Sequence, residues 1–176
     1  AWYENTDGQG TFSTQKTITT QADGAYYVHA ADIDGDGDMD VLSASLEDHK
    51  IAWYENTDGQ GTFSTQKTIT TQARYARSVY AADIDGDGDM DVLSASSSDA
   101  KIAWYENTDG QGTFGTQKVI TTQASGAFSV YAADIDGDGD MDVLSASSFD
   151  DKVAWYENTD GQGTFSTQKT ISTQAD

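Results

Sequence analysis

The nine residues DIDGDGDMD, Asp32–Asp40, return unchanged at Asp83–Asp91 and again at Asp134–Asp142. Each copy places five carboxylates within nine positions, and like charges at that spacing repel one another. A stretch of this kind built three times needs something to offset the repulsion. The glycines indicate what. Gly37, Gly88 and Gly139 stand sixth in their loops, where a sharp turn brings positions 1, 3 and 5 onto one centre. A hard cation such as Ca²⁺ takes roughly six to eight oxygens at about 2.3–2.6 Å, and alternate residues of a tight loop can supply them. The candidate ligands are therefore Asp32, Asp34, Asp36, Asp38 and Asp40, with Asp83, Asp85, Asp87, Asp89 and Asp91, and Asp134, Asp136, Asp138, Asp140 and Asp142. Position 7 of such a loop normally gives a backbone carbonyl, so Asp38, Asp89 and Asp140 need not use their side chains. Asp40, Asp91 and Asp142 close each site from the strand that follows. The expectation is about three Ca²⁺ per chain, holding a blade together rather than serving a reaction. Three such ions would neutralise six of the 21 excess negative charges and reduce self-repulsion in the compact state.

Outward from the loop, the whole chain repeats. AWYENTDGQGTF begins at Ala1, Ala52, Ala103 and Ala154, at intervals of 51 residues. A period near 50 suits one four-stranded propeller blade and is too long for a leucine-rich repeat. Each unit holds four short runs rich in β-branched and aromatic residues, separated by turn chemistry. In the first full unit strand A is Tyr26–Ala31, strand B Val41–Ser45, strand C Ile51–Asn56 and strand D Thr62–Thr71. Asp58-Gly59 supplies the hairpin turn between C and D. No run shows the 3.6-residue apolar period of a helix. The predicted fold is all-β: tandem four-stranded β-propeller blades, about three and a half per chain. Residues 1–22 form a half-blade of strands C and D, followed by blades at 23–73, 74–124 and 125–176. Trp2, Trp53, Trp104 and Trp155 recur on strand C, and Phe12, Phe63, Phe114 and Phe165 on strand D. Packing between adjacent sheets explains why every copy carries the same rings, with a sugar-stacking platform as the rival use.

Composition narrows the function. Nine Lys and Arg against 30 Asp and Glu, a formal charge of −21, argue against a nucleic-acid partner, which needs basic stripes. The same charge disfavours an anionic membrane surface. No apolar stretch approaches the roughly 20 residues of a membrane span, so insertion is not expected. With no cysteine, neither disulfides nor thiolate metal sites are available. The chain starts AWYEN, without Met, a basic region or an apolar segment, and a processed or truncated start is expected. No Asn-x-Ser/Thr tripeptide occurs, so ordinary N-glycosylation is not expected.

The acidic loops are not EF-hands: position 12 is Ser43 rather than Glu, and the flanking segments read as strands. Loop and setting together resemble the FG-GAP/VCBS repeats of integrin-α-like β-propellers, whose pattern DxDxDGxxD joins the first two strands of a blade. The matching residues are Asp32, Asp34, Asp36, Gly37 and Asp40, with their equivalents in the next two units. The family's Gly-Ala-Pro is replaced by Ser-Ala-Ser, and Phe-Gly survives only at Phe114-Gly115. These departures place the sequence nearer bacterial VCBS-type repeats than integrin headpieces. The resemblance implies an extracellular or cell-surface setting, where calcium is plentiful enough for sites of weak to moderate affinity.

The copies differ in two places. The segment before strand A reads DGAYYVH, RYARSVY and SGAFSVY, and the B–C connection reads LEDHK, SSDAK and SFDDK. In an alternating blade both connections emerge at the end opposite the acidic loops. A ligand surface is therefore expected around Tyr26, Tyr27, His29, His49, Arg74, Tyr75, Arg77 and Phe149, with glycans as the candidate partner; neutral drift in exposed loops is the other reading. Catalysis is not expected, because both histidines lie in the first full unit and no nucleophile–base spacing recurs. Glu4, Glu55, Glu106 and Glu157, beside the Trp of strand C, read as structural. A propeller ring needs roughly four to eight blades, more than this chain holds. Three outcomes follow: two chains share a ring, blades continue from chain to chain as a filament, or the sequence is a fragment of a longer repeat protein. The favoured expectation is a structural, self-assembling module that meets other copies of itself. A lectin-like or adhesive binding module is the alternative.

Overall fold

A computed structural model describes residues 1–174, and these form twelve strands and no helix. They are β1 (Ala25–Ala31), β2 (Asp40–Ser45), β3 (Lys50–Tyr54), β4 (Lys67–Thr70), β5 (Ala76–Ala82), β6 (Asp91–Ser96), β7 (Lys101–Tyr105), β8 (Lys118–Thr121), β9 (Ala127–Ala133), β10 (Asp142–Ser147), β11 (Lys152–Tyr156) and β12 (Lys169–Ser172). They make three four-stranded antiparallel sheets, ordered β1-β2-β3-β4, β5-β6-β7-β8 and β9-β10-β11-β12. These are the predicted blades, each a meander of neighbouring strands.

Register follows from what each face must bury. Leu42 lies opposite Trp53 and Ala44 opposite Ile51, all on the face turned towards the next blade. Val41 lies opposite Tyr54 on the other face, and slipping the pairing by one residue would exchange the two sets. Between blades 1 and 2, Ile33, Leu42, Ala44, Ile51 and Trp53 pack against Ala76, Val79, Ala81, Val92 and Tyr105. The same set recurs between blades 2 and 3, led by Ile84, Leu93, Ile102 and Trp104.

The tryptophans do what the repeat implied. The Trp104 ring lies under the C–D turn of the following blade, where a Cβ on Gly163 would come within 2.2 Å of it; Trp53 and Gly112 repeat this at 2.2 Å. Trp2 reaches Gly61 in the same way and meets Phe63 edge-on, with centroids 6.5 Å apart. Phe114 and Phe165 join the cores formed around Trp53 and Trp104. Each Trp also carries a strand-D lysine over its ring, as with Lys67 at 4.2 Å from Trp53.

Two segments differ from the sequence reading. Strand D is shorter than predicted: only Lys67–Thr70 is regular strand, and residue 63 is tied to Asn56 by an isolated bridge. The Ser64 hydroxyl accepts from the Glu55 amide, and the Ser64 amide donates to the Glu55 carbonyl. Blade 2 has Gly115 in that place, keeps only the backbone bond to Glu106 and has an equally short strand D, so the serine side chain is not what interrupts the pairing. The opening 22 residues match 52–73 letter for letter but hold only the bridges Trp2–Lys16 and Asn5–Phe12. No strand B flanks them, and strand C elsewhere is regular where it is paired on both sides.

Candidate metal centres

Each acidic loop leaves the end of strand A and returns as strand B, with its turn fixed by the loop's own carboxylates. Asp32 Oδ1 accepts from the Gly35 amide at 2.9 Å and Oδ2 from the Gly37 amide at 3.0 Å. Asp36 accepts from the Asp38 amide at 2.9 Å. Gly35 and Gly37 have φ of 73° and 94°, a region that glycine enters without steric cost. Asp40 sits lowest and is buried: one oxygen accepts from the Ile33 amide at 3.0 Å and the other from the Asn56 amide at 2.7 Å. It thereby ties the loop to the end of strand C. The other two loops repeat these contacts.

The carboxylates converge. Ligand-capable oxygens of Asp32, Asp34 and Asp36 lie within 4.8 Å of one another, as do those of Asp83, Asp85 and Asp91 and those of Asp134, Asp136 and Asp138. Asp34 Oδ1 and Asp85 Oδ1 are buried without any hydrogen-bond partner. Such an atom is costly to bury, and a cation supplies the partner that it lacks. Burial raises the Asp34 and Asp85 carboxyls, and neighbouring Asp36 and Asp87 add to the shift. Burial also raises Asp40 and takes Asp91 to about 7, against the hydrogen bonds that hold its charge. An all-oxygen, acid-rich set of this kind fits a hard divalent ion, with Ca²⁺ preferred over metals that want nitrogen or sulfur.

Asp38, Asp89 and Asp140 stand apart from these clusters. Their carboxylates lie against the C–D turn of their own blade, where a Cβ on Gly59, Gly110 or Gly161 would approach within 2.5, 2.5 or 2.6 Å. The loops also touch the next blade, a link that sequence reasoning did not anticipate. Asn107 donates to the carbonyl of Ile33 at 2.9 Å, and Asn158 to that of Ile84 at 2.8 Å. The signal for it was the Asn of WYEN, repeated in every unit.

At the opposite end, the structure brings together only part of the predicted ligand surface. The Arg77 guanidinium lies 5.0 Å from the Tyr26 ring and 5.4 Å from Phe128, a residue the sequence reading left out. His29 and Tyr131 flank Tyr80, each with ring centroids 4.6 Å away. Repeat arithmetic could have found both groups, since 26, 77 and 128 are equivalent positions, as are 29, 80 and 131. Burial and Tyr131 push the Tyr80 hydroxyl up to about 12, and burial lowers His29. His49 and Tyr75 stack separately at 5.1 Å, and Tyr27 and Phe149 are exposed elsewhere on this end. The Arg74 carbonyl accepts from the Ser98 amide, and its side chain has no ion-pair partner among the described residues. The Glu of WYEN is engaged with lysine in every copy, as in Glu55–Lys67 at 2.5 Å.

Comparison with known proteins adds a fold and a family. A lectin of Agrocybe aegerita, described as specifically recognising non-reducing terminal N-acetylglucosamine, superposes with a TM-score of 0.66 at 22% identity. The match covers 97% of this chain and 46% of the lectin, so the chain spans less than half the length of that β-propeller. No curated protein matches the sequence. The model of the FG-GAP-like repeat matches four times, over residues 1–43, 34–94, 83–145 and 134–176. The chain belongs to the FG-GAP-like repeat family.

Proposed function

We propose that this chain is a calcium-stabilised β-propeller module of the extracellular space, whose role is structural and which assembles with further copies of itself in a shared ring or a filament. One observation carries the assembly: identical residues have opposite fates inside the array and at its ends. Ile33 is 1% exposed beneath blade 2, whereas its equivalent Ile135 on blade 3 is 42% exposed. Val79 is fully buried, whereas Val28 on blade 1 is 65% exposed. Blade 3 thus presents the face that blades 1 and 2 bury, and the inner part of blade 1 presents its complement. Covering such surfaces stabilises by about 25 cal/mol per Å² of apolar area, and a second copy carries both halves of the contact, as further blades of a longer chain would. The metal reading rests on the orphaned buried oxygens of Asp34 and Asp85, and the extracellular setting on the calcium concentration such loops need.

Light scattering in saturating calcium tests the assembly. A dimer or longer species is expected, reduced to a monomer by Ile135→Asp or Val28→Asp with the blades intact. A wild-type monomer in calcium sinks it.

A second reading is favoured by a different observation. The aromatic–arginine group at Tyr26, Arg77 and Phe128, together with the likeness to a lectin, supports a glycan-binding module acting through the variable end. Retention of the chain on immobilised glycans checks it. Both readings are non-enzymatic, which the repeat-module family and the likeness to a lectin support.

A further inference from the structure

We propose that Arg77, with the rings of Tyr26 and Phe128, forms a binding site for carboxylated sugars at the variable end of the blades. The inference rests on the glycan-binding reading and names its ligand class. Its first support is the fate of the cations. Each of the seven lysines lies in an ion pair with a carboxylate: Lys16, Lys67, Lys118 and Lys169 with the Glu of WYEN, and Lys50, Lys101 and Lys152 with an Asp of the B–C turn. The Arg77 guanidinium has no carboxylate partner among the described residues, in a chain with 30 acidic side chains.

Its second support is geometry. Arg77 Nε donates to Ser97 Oγ at 3.1 Å, and that hydroxyl donates to the Tyr75 carbonyl at 3.3 Å. One of the five guanidinium N–H groups is therefore used to fix orientation, and the terminal nitrogens are left for another acceptor. The flanking rings, from strands β1 and β9, meet at right angles with centroids 5.9 Å apart. Tyr26 is 42% and Phe128 44% exposed, which leaves ring surface for the C–H face of a pyranose. A planar fork with free terminal nitrogens matches a carboxylate bidentately, which a neutral hydroxyl cannot reproduce. Aromatic surface beside such a fork fits a hexuronate better than a neutral hexose.

Of the carboxylates at this end, Asp48, Asp99 and Asp150 are neutralised by Lys50, Lys101 and Lys152, while Asp23, Glu47 and Asp151 have no ion pair among the described residues; the acidic loops are farther off. Asp32 lies six residues along the strand from Tyr26, roughly 20 Å at about 3.3 Å per residue. That exceeds two Debye lengths at physiological salt, where the length is about 8 Å.

Calorimetric titration of the full chain, in calcium, with tri-galacturonate and with tri-galactose tests the assignment. The acidic trisaccharide is expected to bind at least about 10-fold tighter than the neutral one, the range of a charge-assisted pair. Arg77→Gln should bring the two within about 2-fold, and Arg77→Lys should keep a part of the preference. Phe128→Ala should weaken both sugars alike. Equal binding of the two sugars by the wild type overturns the carboxylate class and leaves the glycan-binding reading standing. A preference that survives Arg77→Gln, with the variant's melting curve unchanged, overturns the placement at Arg77. No binding of either sugar, together with no retention on immobilised glycans, removes both readings.

Discussion

The two ends of each blade are built from the same strands and have diverged in opposite ways. At the A–B and C–D end the acidic loops and the NTDGQG turns are identical in the three copies, with Gly115 in place of Ser64 and Ser166 the one change. At the D–A and B–C end most positions differ, the paired Asp and Lys of each B–C turn excepted. The first end is constrained from several directions at once. Its acidic residues shape their own loop, Asp40 ties that loop to strand C, and Asn107 and Asn158 join the first two loops to the blades that follow them. A change there disturbs an acidic cluster, a turn and an inter-blade contact together. The variable end is held by two backbone hydrogen bonds between the D–A and B–C connections of each blade and one Asp–Lys pair, which leave the identity of the other side chains open. Constraint is concentrated at one end, and the other has room to vary.

Removing calcium should show this asymmetry most strongly. A site filled at a hundred times its dissociation constant contributes about 2.7 kcal/mol to folding, and three sites act together. A chelator is expected to lower the melting temperature by more than about 10 °C, whereas Tyr26→Ala at the other end moves it by a few degrees at most. A melting curve insensitive to both calcium and chelator would remove the metal from the account of stability.

Next in size is a comparison of one position in two environments. Gly112 lies over the Trp53 ring, where a Cβ would come within 2.2 Å, whereas nothing lies within 4 Å of Gly10. Both have positive φ, 80° and 96°, so alanine strains the backbone at each by about 1–2 kcal/mol. Only Gly112→Ala also displaces the ring and should cost a further 2 kcal/mol or so. Denaturant titration of the two variants measures the difference, and equal losses would mean that the rings do not set the blade spacing.

Asn107→Ala sharpens the same contrast on a smaller scale. Its side chain donates to the Ile33 carbonyl and accepts from the Gly112 amide at 3.0 Å. Asn5, in the opening segment, keeps only the turn contact, to the Gly10 amide at 3.2 Å. The loss at Asn107 should be about 1–3 kcal/mol, and smaller at Asn5. Because the Ile33 carbonyl belongs to the first acidic loop, one of the three calcium affinities should weaken in a calorimetric titration of Asn107→Ala. Three unchanged affinities would separate the metal from the blade interface.

Most of the architecture was legible because it repeats. A 51-residue period, Trp and Phe at fixed phase and three copies of one loop specify blades, their count and their metal candidates before any coordinates. What escaped was set by three-dimensional neighbours that the linear pattern does not order. Strand D is regular over only four residues in every blade, and the side chains of Asn107 and Asn158 reach back to the acidic loop of the preceding blade. Phe128 was overlooked because the loops were compared as whole segments rather than position by position. Aligned by the period it falls with Tyr26 and Arg77, and the packing of β1, β5 and β9 makes those three positions neighbours.

The smallest effect concerns the one polar ring in the row that those strands share. His29 stands where units two and three have Tyr80 and Tyr131, and burial holds its pKa below the ordinary 6.5. The unfolded chain therefore binds a proton at a higher pH than the folded one. Stability from this residue is complete above 6.5 and declines as pH falls through that value towards the folded pKa. His29→Tyr makes the row uniform and removes the titration. In saturating calcium, the gap in stability between variant and wild type should widen as pH falls from 7.5 to 5.5, with the variant gaining. A constant gap over that range would mean that His29 has the same proton affinity folded and unfolded, so that its contact with Tyr80 places no cost on the charged ring.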